Sequence, residues 1–283
     1  MRNMKFAKRI GAVVLAVCMV LSCAGCGGSS NKGASEETTE VITEGGNSKI
    51  LVAAAASLQA TFDNELIPLF EKENPEIAVE GTYASSGDLQ HQIESGLDAD
   101  VFFSAATSNM DTLAEEKLID EDTVVDLLKN NVVLITPKDS KLGIKSFKDI
   151  TKADTIAIGD PESVPAGKYA KEILINLDVY NEVEKKASLG ASVTEVLSWV
   201  AEGSADAGIV YATDAQTENT NGDDKEVEIV ATAEDSMMQT PVVYPVGVVS
   251  ASTHKDEAKA FEDFLQTDEA KAVLEKAGFT INK

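Results

Sequence analysis

Residues 155–174 read TIAIGDPESVPAGKYAKEIL. A short β-branched run, Thr155 to Ile158, meets an amphipathic helical pattern through a turn rich in Gly159, Asp160, Pro161, Pro165 and Gly167. Proline pre-sets the first turn of a helix, and glycine lets a helix start pack close to a strand end. The stretch is therefore a strand, a turn and a helix, the repeating unit of a parallel sheet. A helix start leaves its first N–H groups without intrahelical partners and carries partial positive charge. In a chain of formal net charge -24, a turn of this kind predicts a set of uncommitted N–H groups that could hold an anion without lysine or arginine.

The same alternation extends outward. On the N-terminal side, KILVAAAAS reads as a buried strand and Leu58 to about Glu73 as a helix interrupted or kinked at Pro68. IAVEGTYA, DVFFSA and the helical GDLQHQIESG and SNMDTLAEEKL follow. A long apolar strand at NVVLITPK opens a second series with TIAIG and AGIVY, and helices start near Gly167 and Val193. PVVYPVGVV is a further long strand, before the helical KDEAKAFEDFLQ and DEAKAVLEKAG. These elements predict an α/β protein of two lobes, each a mostly parallel sheet flanked by helices, with the ligand cleft between them. The chain is expected to cross near residue 131 and return near 239, so that 49–131 with 239–283 form one lobe and 132–238 the other.

The first residues belong to neither lobe. Arg2, Lys5, Lys8 and Arg9 precede an apolar run from Ile10 to Leu21, the layout of a secretory signal peptide over 1–25 and too short for a spanning helix. LSCAGCGGSS resembles a bacterial lipobox. Cys23 and Cys26 both fit such a box, and AGC followed by two glycines favours Cys26 as the lipidated residue. The stretch to Ser48 is rich in Gly, Ser, Thr and Glu and reads as a disordered tether. All three cysteines, Cys18, Cys23 and Cys26, fall in the leader, so the folded part has no disulfide and no thiolate metal site. Removing 1–25 takes away four basic and no acidic residues and leaves 20 basic against 48 acidic, a balance of -28. That surface disfavours nucleic acid and anionic headgroups as partners. The expected location is extracytoplasmic, with membrane contact through the lipid alone.

Enzyme chemistry finds little support. The two histidines, His91 and His254, sit in polar contexts far apart in sequence, and no GxSxG, HExxH or GxxxxGK string is present. The acidic runs EDTVVD and NGDDKEVE lack the ordered spacing of a calcium loop and read as solvated faces. What recurs is a small or polar residue at a helix start: Ser57, the pair Ser85 and Ser86, Ala166 with Gly167, and Ser192 with Val193. Taken singly, a serine there is more often an ordinary cap than a ligand. Tyr211, at the end of AGIVY, is by itself more often a half-buried structural tyrosine, whose hydroxyl needs a partner if buried.

Together, AAAAS, YASSGDLQHQIESG, ADVFFSA, GDPESVPAGKYAKEIL, AGIVYATDA, EDS, YPVGVV and the terminal GFTI resemble, in order, the molybdate-binding proteins of bacterial ABC importers, from Lys49 to Lys283. GDPxxVPAGxYA is the most specific of these strings. The resemblance implies a periplasmic-binding-protein fold closing over a tetrahedral oxyanion, molybdate or tungstate, with no cofactor. It places the ligands on the hydroxyls of Ser57, Ser86 and Tyr211 and on backbone N–H groups of Ala166, Val193 and the serine segments. It also implies delivery to a permease with a separate ATPase subunit, by a monomer. The chain departs from the family at Ala106, where an acidic or amide residue is common, and at Gly87, where a third serine is common. Neutral donors with no proton acceptor would favour a fully ionised oxyanion over a protonated one. The rivals are a binding protein for sulfate or another small solute, a lipoprotein hydrolase using Ser57 or Ser86 as nucleophile, and a ligand-sensing adhesin or signalling subunit.

Overall fold

A computed structural model describes residues 48–221 and 226–282. The leader, its cysteines and the tether as far as residue 47 lie outside the described residues. In chain order the strands are β1 (Ser48–Ala55), β2 (Ile77–Ala84), β3 (Val101–Phe103), β4 (Val125–Lys129), β5 (Val132–Pro137), β6 (Ile156–Gly159), β7 (Ala187–Gly190), β8 (Ala207–Tyr211), β9 (Val227–Thr232), β10 (Val243–Val248) and β11 (Thr280–Ile281). The helices are α1 (Gln59–Thr61), α2 (Ile67–Glu73), α3 (Ser86–Glu94), α4 (Thr107–Glu115), α5 (Pro165–Asn176), α6 (Tyr180–Val183), α7 (Val193–Ala201), α8 (Ala212–Asn221), α9 (Lys255–Leu265) and α10 (Asp268–Lys276).

Two mixed sheets form, in the orders β11-β4-β10-β3-β1-β2 and β7-β6-β8-β5-β9. Each contains a parallel triplet, β2-β1-β3 in the first and β7-β6-β8 in the second. The other pairings, of β10, β4 and β11 and of β5 with β8 and β9, are antiparallel. The expectation of mostly parallel sheets thus holds for the triplets only. The antiparallel strands include those at which the chain changes sheet: β4 runs into β5 of the other sheet through Asn130 and Asn131 alone. The second passage between the sheets runs from Thr232 to Val243.

The small, apolar β1 is buried on both faces, as a central parallel strand must be. Val52 and Ala54 pack with Phe62, Phe70, Phe103 and Phe261 on one side, while Ala53 packs with Leu89, Phe102 and Met110 on the other. On the first side the aromatic rings meet edge to face, Phe70 and Phe261 at 5.0 Å and Phe62 and Phe103 at 5.8 Å between centroids. That geometry suits the ring quadrupole and ties α2 and α9 to the sheet.

Pro68 does not break its helix. Residues Phe62–Leu66 instead form a π-helical stretch ahead of α2. Proline has no N–H to offer the carbonyl of Asn64, and a one-residue widening lets the helix absorb that loss.

Candidate functional site

The C-terminal ends of the parallel strands converge on one small cavity. Its lining is Ala55, Ala56 and Ser57 at the end of β1, Ala84, Ser85 and Ser86 at the end of β2, and Ala105 after β3 from the first sheet. The second sheet supplies Val164, Pro165 and Ala166 after β6, Val193 after β7, and Tyr211 of β8. About 10 Å³ is open to the centre of a water-sized sphere, close to the minimum that one water needs. The structure therefore brings Ser57, Ser86, Ala166, Val193 and Tyr211 together from five separate segments around that space.

The turn that opens α5 is more committed than its sequence predicts. Asp160 N–H donates to Gly190 O (2.9 Å), Ser163 and Val164 N–H donate to Asp160 O (3.2 and 2.7 Å), and Gly167 and Lys168 N–H donate to Val164 O (2.9 and 3.1 Å). Glu162 N–H is held by Asp160 Oδ1 at 2.9 Å. Pro161 and Pro165 have no N–H, so Ala166 is left with the one N–H of the turn that no protein acceptor takes, among the described residues. The many uncommitted groups expected reduce to one, because the turn closes on itself through Asp160. The glycines are needed for this: a Cβ on Gly167 would sit 2.1 Å from Gly159 O.

The other two helix starts follow the same plan. At α7 the Ser192 hydroxyl accepts from Glu195 N–H (3.2 Å), leaving Val193 N–H without a protein partner. At α3 the Ser85 hydroxyl accepts from Asp88 N–H (3.1 Å), and Gly87 N–H crosses to Ser163 O at 3.0 Å. Ser86 N–H and, after β1, Ser57 N–H likewise have no protein acceptor among the described residues. The Gly87 to Ser163 bond joins the two lobes beside the cavity. A Cβ on Gly87 would lie 2.3 Å from that carbonyl oxygen, which gives this departure from the resembled family a local reason.

The hydroxyls are set in the same sense. Ser86 is fully buried and its Oγ accepts from Ala105 N–H at 2.9 Å, so its own proton is free to be donated. Ser57 Oγ lies 3.0 Å from Tyr244 Oη. Tyr211 is 1% exposed and its Oη has no hydrogen-bond partner, an uncompensated buried hydroxyl that costs free energy unless a ligand meets it. Burial above all, with Tyr244 next, raises the Tyr211 pKa well above the ordinary value, so this hydroxyl keeps its proton.

No charged side chain lines the cavity. Asp214 is buried and accepts from the N–H of the lining residue Tyr211 at 3.1 Å. Burial pushes its pKa up to about 7, which limits the negative charge it places beside the site. His91 is exposed and paired with Glu94, and His254 precedes α9. Neither lines the cavity.

A profile of the bacterial extracellular solute-binding proteins matches residues 50–280. The chain belongs to this family. As a solute-binding protein of ABC transporters it is not an enzyme, and the serine-hydrolase reading falls away. Its relatives include YvgL of Bacillus subtilis strain 168, provisionally named an ABC transporter substrate-binding lipoprotein. That protein is 38% identical over 273 residues, which are 96% of this chain and 98% of YvgL. The molybdate-binding protein ModA of Escherichia coli K12 is 37% identical over 243 residues, 82% of this chain and 89% of ModA. Among solved structures, the sulfate-binding protein SubI of Mycobacterium tuberculosis H37Rv superposes with a TM-score of 0.72 at 21% identity, covering 82% of this chain and 86% of SubI. At that identity the likeness concerns the fold, which is the two-lobed periplasmic-binding-protein fold.

Sequence reasoning on this solute-binding protein missed Tyr244, Asn130 and Ala105, which hold the cavity hydroxyls. Tyr244 lies inside YPVGVV, a string that reads as strand, and nothing in a single sequence marks which tyrosine of a strand turns toward a neighbouring serine.

Proposed function

We propose that this solute-binding protein captures molybdate, and tungstate with it, and delivers the anion to an ABC permease served by a separate ATPase subunit. The observation that carries the reading is the cavity itself: hydroxyls of Ser57, Ser86 and Tyr211 and unpaired N–H groups of Ser57, Ser86, Ala166 and Val193, with no charged side chain among the lining residues. Donors alone suit a fully ionised oxyanion and oppose a protonated one. Hydrogen bonds to a charged ligand contribute about 1.5–3 kcal/mol each, and micromolar binding needs about 8 kcal/mol. This donor set exceeds that requirement, and the surplus offsets anion desolvation and closure of the lobes. The resemblance to molybdate-binding proteins selects the substrate within the oxyanions.

In this reading 49–131 with 239–283 and 132–238 are the bodies that close on the anion, and the closed form is the one the permease recognises. The protein works as a monomer, tethered outside the cytoplasm by a lipid on Cys26. Mass spectrometry of the N-terminal peptide tests the anchor: a diacylated Cys26 supports it, and an unmodified one removes it. For the ligand the decisive experiment is isothermal titration of the ligand-stripped domain from Lys49 onward with molybdate, tungstate, sulfate and phosphate. The expected result is one-to-one binding of the first two, with the others far weaker. Preferential sulfate binding would keep the fold and overturn the substrate.

A further inference from the structure

Ser57 is the one cavity hydroxyl whose partner is another hydroxyl, so the direction of its hydrogen bond has to be decided from the groups behind it. Asn130, in the short link between β4 and β5, accepts from Asn131 N–H through Oδ1 at 2.8 Å. That bond fixes which end of the amide is the NH2. Nδ2 then donates to Thr213 Oγ1 at 2.9 Å and to Tyr244 Oη at 3.2 Å, which uses both amide protons. Tyr244 is fully buried, and its Oη has two partners among the described residues, Asn130 Nδ2 and Ser57 Oγ. An amide nitrogen cannot accept, and the neighbouring Tyr211 Oη has no partner in hydrogen-bond geometry, so Ser57 Oγ is the acceptor left for the Tyr244 proton.

We propose that Asn130 and Tyr244 are positioning residues that set Ser57 as a donor to the bound solute. Asn130 donates to Tyr244, Tyr244 donates to Ser57 Oγ, and Ser57 turns its own proton into the cavity. The chain of bonds starts in the passage between the lobes and ends at the ligand, and it makes the cavity refuse a proton-bearing oxyanion at this point. Ser86 reaches the same state by a shorter route, through Ala105 N–H. The role in selection rests on the oxyanion reading of the cavity, whereas the direction of the relay does not.

Two experiments test the proposal separately. Neutron diffraction from the ligand-free, deuterium-exchanged protein should place the Tyr244 deuteron on the line to Ser57 Oγ, whereas a Ser57 deuteron aimed at Tyr244 would overturn the relay whatever the ligand is. In titrations with molybdate, Tyr244→Phe keeps the ring that packs on Tyr211 and Phe279 at 5.7 and 5.4 Å and removes only the hydroxyl. About a tenfold loss of affinity is expected, and Ser57→Ala added to it should cost little more, because both changes remove one donor. Unchanged affinity in Tyr244→Phe, or losses that multiply in the double variant, would overturn the positioning role. If the wild-type protein binds none of the four oxyanions, the ligand reading fails and the neutron map still decides the relay.

Discussion

Tyr211 Oη is a buried donor with nothing to donate to, which makes it the cavity hydroxyl whose contribution can be isolated most cleanly. Tyr211→Phe should weaken oxyanion binding by about 1.5–3 kcal/mol while leaving the thermal midpoint of the ligand-free protein unchanged or slightly raised. Titration calorimetry beside a thermal melt checks both, and an unchanged affinity would take Tyr211 out of the site. Asp214 offers a second test, through pH. Its folded pKa of about 7 lies above the ordinary 3.8, so the folded chain keeps a proton there that the unfolded chain loses. Stability is therefore given up as pH rises from about 4 to about 7, by roughly 4 kcal/mol in total from this group. Asp214→Asn should remove that loss, so denaturation curves of variant and wild type should converge near pH 4 and separate toward pH 7.5, with the variant the more stable. At the residue scale the motifs made the placement of the candidate site legible. Ser57, Ser86, Ala166, Val193 and Tyr211 all line the cavity. The supports behind them were not legible, because Tyr244 and Asn130 act through orientation, which leaves no mark in residue type.

At the scale of elements the strand-turn-helix pattern was readable because apolar runs and glycine- or proline-rich turns alternate with amphipathic helices. Of the strands that escaped, β11 is only the two residues Thr280–Ile281, and the other three have weak patterns for identifiable reasons. β4 begins inside the acidic EDTVVD, β7 is the four residues ASLG, and β9 begins inside the acidic NGDDKEVE. All three gain their place from pairing with neighbours rather than from their own composition. The turn before α5 shows the opposite error. It carries the strongest motif of the chain, yet it supplies a single free N–H, and the rest of the donor set comes from the starts of α3 and α7 and from the end of β1. A helix start gives an anion site only those N–H groups that its own caps leave over.

Across the whole molecule the lobes meet through the Gly87 N–H to Ser163 O bond, where a Cβ would lie 2.3 Å from the oxygen. Gly87→Ala should hold the lobes apart without disturbing either sheet. We expect a larger radius of gyration in the presence of molybdate than wild type shows, and weaker binding, with the melting of the ligand-free protein little changed. Small-angle scattering with and without the anion reads this directly, and a variant that contracts like wild type would show that the carbonyl can give way.

The chain passes twice between the sheets, and the two passages are tied to each other by Asn130 N–H to Val242 O at 3.2 Å and Ala233 N–H to Val132 O at 2.8 Å. A paired ribbon of this kind bends easily across its plane and resists shear along it, so it acts as a leaf spring rather than a swivel. In the proposed reading, each closing stroke would then return the second sheet's donors to the same address opposite the first sheet's. An anion bound as proposed would have only to arrive, since no search over lobe orientations would separate its capture from its enclosure.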